Sequence, residues 1–217
     1  MAMATSAFLG TFNKRILKTE RIKKMEKNFC EIICVIDRSG SMASIQDDAI
    51  GGFNTFLEKQ KNVLGEATLT LIQFNTEYEV THENKPIKDI PELDKNTFSP
   101  SGMTALLDAV GKTIDNVGRR LSNTPEDNRP TKVILAILTD GEENSSKEMT
   151  LSKVKGMIDH QRDKYGWEFI FLGANQDAFT EAAKIGIRTC DTQSFVATGA
   201  GVRDAYGVTS ELVSKYR

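Results

Sequence analysis

The chain has 217 residues, 39% hydrophobic and 27% charged, with a formal net charge of −2 and three cysteines. That length suffices for a single domain with a sizeable core, and the near-neutral balance gives no field that would recruit nucleic acid. No run approaches the ~18 apolar residues of a membrane span, and no continuous apolar core precedes a cleavage site, so neither a transmembrane segment nor a secretory signal is expected.

Residues 1–28 hold seven basic residues against two acidic ones, a local excess of five that leaves the remainder at −7. Phe8, Leu9, Phe12 and Ile16 share one helical face there, which suits an arm that docks a partner or an anionic membrane surface. A leader is the alternative, because Met25 offers a second start just before the composition changes. The boundary therefore falls near residue 28, with an arm or leader over 1–28 and one domain over 29–217.

Phe29–Ile36 is nearly all apolar and reads as a strand covered on both faces. It contains Cys30 and Cys34, which a strand sets roughly 13 Å apart on one face, beyond disulfide reach. Buried reduced thiols favour a cytoplasmic location. After a polar turn, Ile45, Ala49, Phe53, Phe56 and Leu57 recur at helical spacing. Ala67–Phe74 is a second strand. Glu77–Thr81 follows too closely for a helical crossover and is expected antiparallel at an edge.

Residues 82–103 read as irregular, broken by Pro86, Pro91 and Pro100. A helix should begin near Thr104, carried by Leu106, Ala109, Val110, Ile114, Val117 and Leu121. Lys132–Leu138 is a buried strand, Leu151, Val154 and Ile158 mark a helix, and Trp167–Leu172 is the next strand. Ala178, Phe179, Ala182 and Ala183 mark a short helix ended by Gly186. A last strand is expected near Arg188–Cys190, followed by a helix carried by Val202, Ala205, Tyr206, Leu212, Val213 and Tyr216. The alternation implies an α/β fold, Rossmann-like and doubly wound. Its sheet is six-stranded and mostly parallel, with one antiparallel edge strand and helices on both faces. His82 and His160 lack ligand spacing and read as surface residues; Trp167 reads as core.

Three polar clusters fall where an open parallel sheet binds ligands, beyond the carboxyl ends of its strands. They are Asp37-Arg38-Ser39-Gly40-Ser41-Met42, Ser101-Gly102-Met103-Thr104 and Thr139-Asp140-Gly141-Glu142-Glu143-Asn144. Asp37, Ser39, Ser41, Thr104 and Asp140 form an all-oxygen set without His or thiolate, which suits hard ions such as Mg²⁺ or Mn²⁺ better than Zn²⁺. The i, i+2, i+4 spacing of the first three aims their oxygens inward from a tight loop, and Gly40 is expected to ease that turn. Taken singly, each cluster also reads as ordinary turn and N-cap residues.

D-x-S-x-S after the first strand, a distant Thr at a helix start, and T-D-G after a later strand resemble the von Willebrand factor A (vWA) domain and its metal-ion-dependent adhesion site. The resemblance spans about residues 29–216, and the Phe171–Gln176 stretch looks most like compact bacterial or phage members. It implies that Asp37, Ser39, Ser41, Thr104 and Asp140 surround an ion with a position open to a partner's Asp or Glu. Arg38, in the variable slot of the motif, is a candidate to receive an acidic ligand group, and the flanking Glu142 and Glu143 would deepen the negative potential; solvated surface residues are the alternative for all three.

A non-enzymatic, metal-dependent protein-binding module follows from these readings, supported by the lack of a phosphate loop, an H-E-x-x-H pair or a nucleophile elbow. A structural subunit of a virion or complex with an incidental metal site is the alternative. An Mg²⁺-dependent phosphotransferase of the haloacid dehalogenase type also places Asp after its first strand, but carries a second Asp where this chain has Ser39.

Overall fold

The computed structural model describes residues 29–174, 178–196 and 198–217. The expected arm and the end of the Phe171–Gln176 stretch lie outside these residues. Strands β1 (Phe29–Asp37), β2 (Glu66–Phe74), β3 (Tyr78–Pro86), β4 (Lys132–Thr139), β5 (Glu168–Ala174) and β6 (Thr192–Phe195) form one sheet in the order β3-β2-β1-β4-β5-β6. All neighbours pair in parallel except β2 and β3, so the edge strand is the one antiparallel member. The central strands β1 and β4 are buried along almost their whole length.

Among the described residues five α-helices cover the two faces: α1 (Gln46–Lys61), α2 (Leu106–Asn123), α3 (Leu151–Tyr165), α4 (Ala178–Lys184) and α5 (Gly199–Tyr216). Alternate residues of β1 divide the core. Ile32, Cys34 and Ile36 pack with Phe53 and Phe56 of α1 and with Val202, Tyr206 and Val213 of α5. Ile33 and Val35 pack on the other face with Val110, Ile114 and Val117 of α2 and Val154 and Ile158 of α3. Cys30 and Cys34 are buried and unbonded on the same face, as the alternation requires. No helix among the described residues is long and apolar enough to cross a membrane.

Three boundaries differ from the sequence reading. β3 continues to Pro86 rather than ending at Thr81. Register shifts against Leu69–Ile72 accommodate the extra length, and Asn84 takes a positive φ of 45°. The last strand is Thr192–Phe195, while Thr189–Asp191 is a 3-10 turn. Asp191 accepts a 2.6 Å bond from Arg188 Nε, and Thr192 Oγ1 donates to the Arg188 carbonyl, so local side-chain bonds tighten that segment before the strand begins. The loop after β1 is itself helical, a 3-10 turn over Gly40–Ile45 that leads directly into α1.

β1 connects leftward through α1 to β2, and the chain returns to the other side of β1 at β4. The carboxyl ends of β1 and β4 therefore flank the switch point, where side chains from both loops can meet.

Candidate metal centre

Asp37 closes β1 and is fully buried, at 0% exposure. Its Oδ1 accepts a 2.7 Å bond from the Ser39 N–H, and its Oδ2 accepts a 2.6 Å bond from Thr139 Oγ1 at the end of β4. Ser39 Oγ lies 3.0 Å from Ser41 Oγ, which in turn donates to Asp140 Oδ1 at 2.7 Å. Thr104 is buried just ahead of α2. A Cβ built on Gly141 would stand 3.2 Å from Thr104 Oγ1 and 3.6 Å from Ser41 Oγ, so both hydroxyls face that bare backbone. Residues far apart in sequence thus gather at one point on the sheet edge.

Backbone bonds between loops hold the cluster. The Gly40 N–H donates to Gly102 O at 3.0 Å, the Ser101 N–H to Arg38 O at 2.8 Å, and the Ala105 N–H to Asn75 O at 3.0 Å. The Thr104 N–H is met by Asn144 Oδ1 at 2.9 Å. Gly40 is not in the left-handed region; that conformation falls on Gly102, at φ 73°. A Cβ on Gly102 would also meet Thr76 Oγ1 at 2.9 Å. Gly102 is thus the glycine the site requires, for its positive φ and for the close approach of the Thr76 loop.

Burial pushes Asp37 up to about 6 from its ordinary 3.8, against the lowering effect of the bonds from Thr139 and Ser39, and Asp140 adds a further upward push. Asp140 is likewise raised by burial, opposed by Ser41. Two carboxylates with their charge disfavoured, ringed by hydroxyls, form a site that a cation would relieve. Among the described residues no three or more His, Cys, Asp and Glu side chains are grouped to hold a metal. The candidate set therefore rests on two carboxylates and three hydroxyls, a donor chemistry that fits a hard ion.

Of the flanking residues, Arg38 and Glu143 are engaged away from the opening, and Glu142 stands exposed beside Asp140. Arg38 turns to the edge strand, where its guanidinium pairs with Glu79 at 3.0 Å and Glu77 at 4.0 Å, and its side chain is only 15% exposed. Its charge is thus engaged away from the opening. Glu143 points inward: its carboxylate accepts from the N–H groups of Leu107, Ser145 and Ser146 and from Ser146 Oγ, at 2.7–2.9 Å. It anchors the start of α2 instead of facing a partner. Glu142 is exposed and lines a cleft beside Asp140 and Glu181.

Sequence reasoning missed Thr139 as a support for Asp37, although it stands in the T-D-G motif. It also missed Asn75, whose Nδ2 donates to Ser101 O at 2.8 Å, and Asp108. The Asp108 carboxylate accepts from the N–H groups of Lys147, Glu148 and Met149, fastening the far side of the Asp140 loop to α2. Asp108 falls on the helix face opposite the stripe of Leu106, Val110, Ile114 and Val117, so periodicity carries no signal for it.

This six-stranded sheet, with its one antiparallel edge strand and flanking helices, is the fold of von Willebrand factor A domains. The chain is similar to proximal thread matrix protein 1 of the mussel byssus, with a TM-score of 0.60 and 17% identity over 86% of this chain and 46% of that one. A second structure of that protein has a zinc-occupied adhesion motif. The vWF domain of the type V pili tip protein Mfa5 from Porphyromonas gingivalis matches with a TM-score of 0.58 and 10% identity, over 88% of this chain and 97% of that domain. A von Willebrand factor type A protein from Catenulispora acidiphila gives 0.57 and 16%, over 88% and 43%. The chain thus spans under half the length of the mussel and Catenulispora proteins. No family model matches the chain, and no curated protein does.

Proposed function

We propose that the chain is a non-enzymatic binding module in which Asp37, Ser39, Ser41, Thr104 and Asp140 hold Mg²⁺ or Mn²⁺ for recognition of an acidic group on a protein partner. The observation that carries this reading is the convergence of these five residues around a buried carboxylate whose charge is disfavoured by burial. A bound dication would neutralise Asp37 and Asp140 and offer one coordination position to the partner's carboxylate. The chain's own residues do the rest. Thr139 and the Ser39 N–H fix the orientation of Asp37, Asn144 fixes the segment carrying Thr104, and Ser41 links the first loop to Asp140.

Ser39 stands where a phosphotransferase would need its acid/base, so the arrangement favours recognition over turnover. The zinc-occupied motif of the mussel protein supports metal binding by this fold in general. Buried, unbonded Cys30 and Cys34 fit a reducing, cytoplasmic setting. Capture of partners on the immobilised chain, with Mg²⁺ and with EDTA, tests the reading. An acidic ligand should be retained only with the ion, and retention in EDTA would refute the mechanism.

A further inference from the structure

β1 and α2 lie next to two of the candidate ligands at one pole and share an ion pair with a buried Glu31 at the other. Asp37 ends β1, and Thr104 stands two residues ahead of α2; Glu31 lies near the start of β1 and Arg120 near the end of α2. Strand rise puts Glu31 ~20 Å from Asp37, and helical rise puts Arg120 ~24 Å from Thr104. Strand and helix therefore run side by side in opposite directions over nearly the same span.

The bonds between these two elements are unevenly distributed. Along the middle, Ile33 and Val35 of β1 share a core with Ala109, Val110, Ile114 and Val117 of α2. Such contact carries no directional bond between helix and strand. At the metal pole, α2 is tied to loops: Ala105 N–H to Asn75 O, Leu107 N–H to Glu143, and Asp108 to residues 147–149. At the opposite pole, Arg120 Nη2 donates to Glu31 Oε1, which also accepts from Thr70 Oγ1 at 3.1 Å. Glu31 is 0% exposed, in the middle of the sheet. This is a directional bond from the helix to the strand itself.

We propose that Glu31 and Arg120 are a positioning pair for the candidate metal centre: they set the axial register of α2 against β1, and through it the reach of Thr104 toward the ion held by Asp37. The inference rests on the metal-binding reading above. A ligand constellation has to hold its geometry to within ~0.5 Å, so a slip smaller than one residue's helical rise is enough to withdraw the Thr104 hydroxyl.

The test is Mn²⁺ titration of the full chain by calorimetry, with circular dichroism confirming that each variant is folded at the titration temperature. Arg120→Met is expected to weaken Mn²⁺ binding by up to roughly tenfold, the lower bound for a partner bonded directly to a metal ligand, and Arg120→Lys to recover most of it. Should Arg120→Met unfold, the double variant Glu31→Gln/Arg120→Met buries no unpaired charge and carries the same expectation. Wild-type affinity in a folded variant whose melting temperature alone has dropped would overturn the positioning role and leave the metal reading intact. Absence of Mn²⁺ binding by the wild-type chain would instead overturn the metal reading, and this inference with it.

Discussion

Replacing Asp108 by Asn isolates how the fold supports the candidate loop. Asp108 sits in the first turn of α2 and is only 8% exposed. Its Oδ1 accepts from Met149 N at 2.7 Å and Glu148 N at 2.9 Å, and its Oδ2 accepts from Lys147 N at 2.9 Å. In Asp108→Asn one oxygen becomes an amide N–H₂ facing the Lys147 N–H, donor against donor, and the other two bonds lose their charge assistance. The loss should be about 2–3 kcal/mol, which for a domain of this size lowers Tm by ~5–10 °C.

The pH dependence has a definite sign. Burial raises the Asp108 carboxyl, but the three backbone donors, with help from Lys112, overcome it and hold the group below its ordinary value. A depressed carboxylate contributes stability that is fully present above the unfolded value of ~3.9. That stability is lost as pH falls through the folded value. Urea unfolding followed by circular dichroism should therefore show the wild-type advantage at pH ~7 shrinking as pH drops toward ~3. Equal stabilities at neutral pH, or a gap that stays constant down to the acid limit, would refute the reasoning.

Adjacent glycines in α1 should respond in opposite ways. A Cβ on Gly52 would lie 2.3 Å from Tyr206 Cδ2, whereas one on Gly51 meets nothing within 4 Å. Gly52→Ala should destabilise by ~1–3 kcal/mol through overpacking against α5, and Gly51→Ala should stabilise by up to ~1 kcal/mol through helix propensity; paired urea titrations check both. Thr139→Val removes the donor to Asp37 Oδ2 and should cost ~1–3 kcal/mol at neutral pH in EDTA, measured by the same titration. Glu143→Ala strips the N–H groups of Leu107, Ser145 and Ser146 of their acceptor. Thermal unfolding should register a loss of ~1–3 kcal/mol, and amide exchange should accelerate at those three residues.

Much of the architecture was legible because burial on both faces leaves an unbroken apolar run, as in Lys132–Leu138, and a helix on one face leaves a stripe, as in α2. The antiparallel edge was readable from the short Asn75–Thr76 turn, but not its length. The outer half of β3 is a polar run, His82–Pro86, with no alternation to mark it as strand. β6 escaped for a similar reason: Thr192–Phe195 is four residues with only its ends buried.

For the site, residue type and loop position identified which oxygens gather, since the topology brings the ends of β1 and β4 together. The second tier was hidden in the sequence. Nothing in the order of residues says that Arg38 turns toward Glu79, or that Glu143 folds back onto α2. The first depends on where the edge strand places its carboxylates, the second on which backbone N–H groups the tertiary fold leaves without a partner, and both are settled by contacts across tens of residues.

The central claim is that Asp37, Ser39, Ser41, Thr104 and Asp140 hold a hard dication. Thermal unfolding with Mg²⁺ or Mn²⁺ against EDTA tests it most directly, comparing the wild type with Asp140→Ala. The Asp140 carboxylate accepts one bond, from the exposed Ser41, so its removal should disturb the ion-free fold little. Ion at a hundredfold excess over its Kd should stabilise the wild type by about 2.7 kcal/mol, a rise of ~5–10 °C in Tm, reversed by EDTA and absent in Asp140→Ala. A wild-type Tm indifferent to both ions, or an equal rise in the variant, would contradict the account.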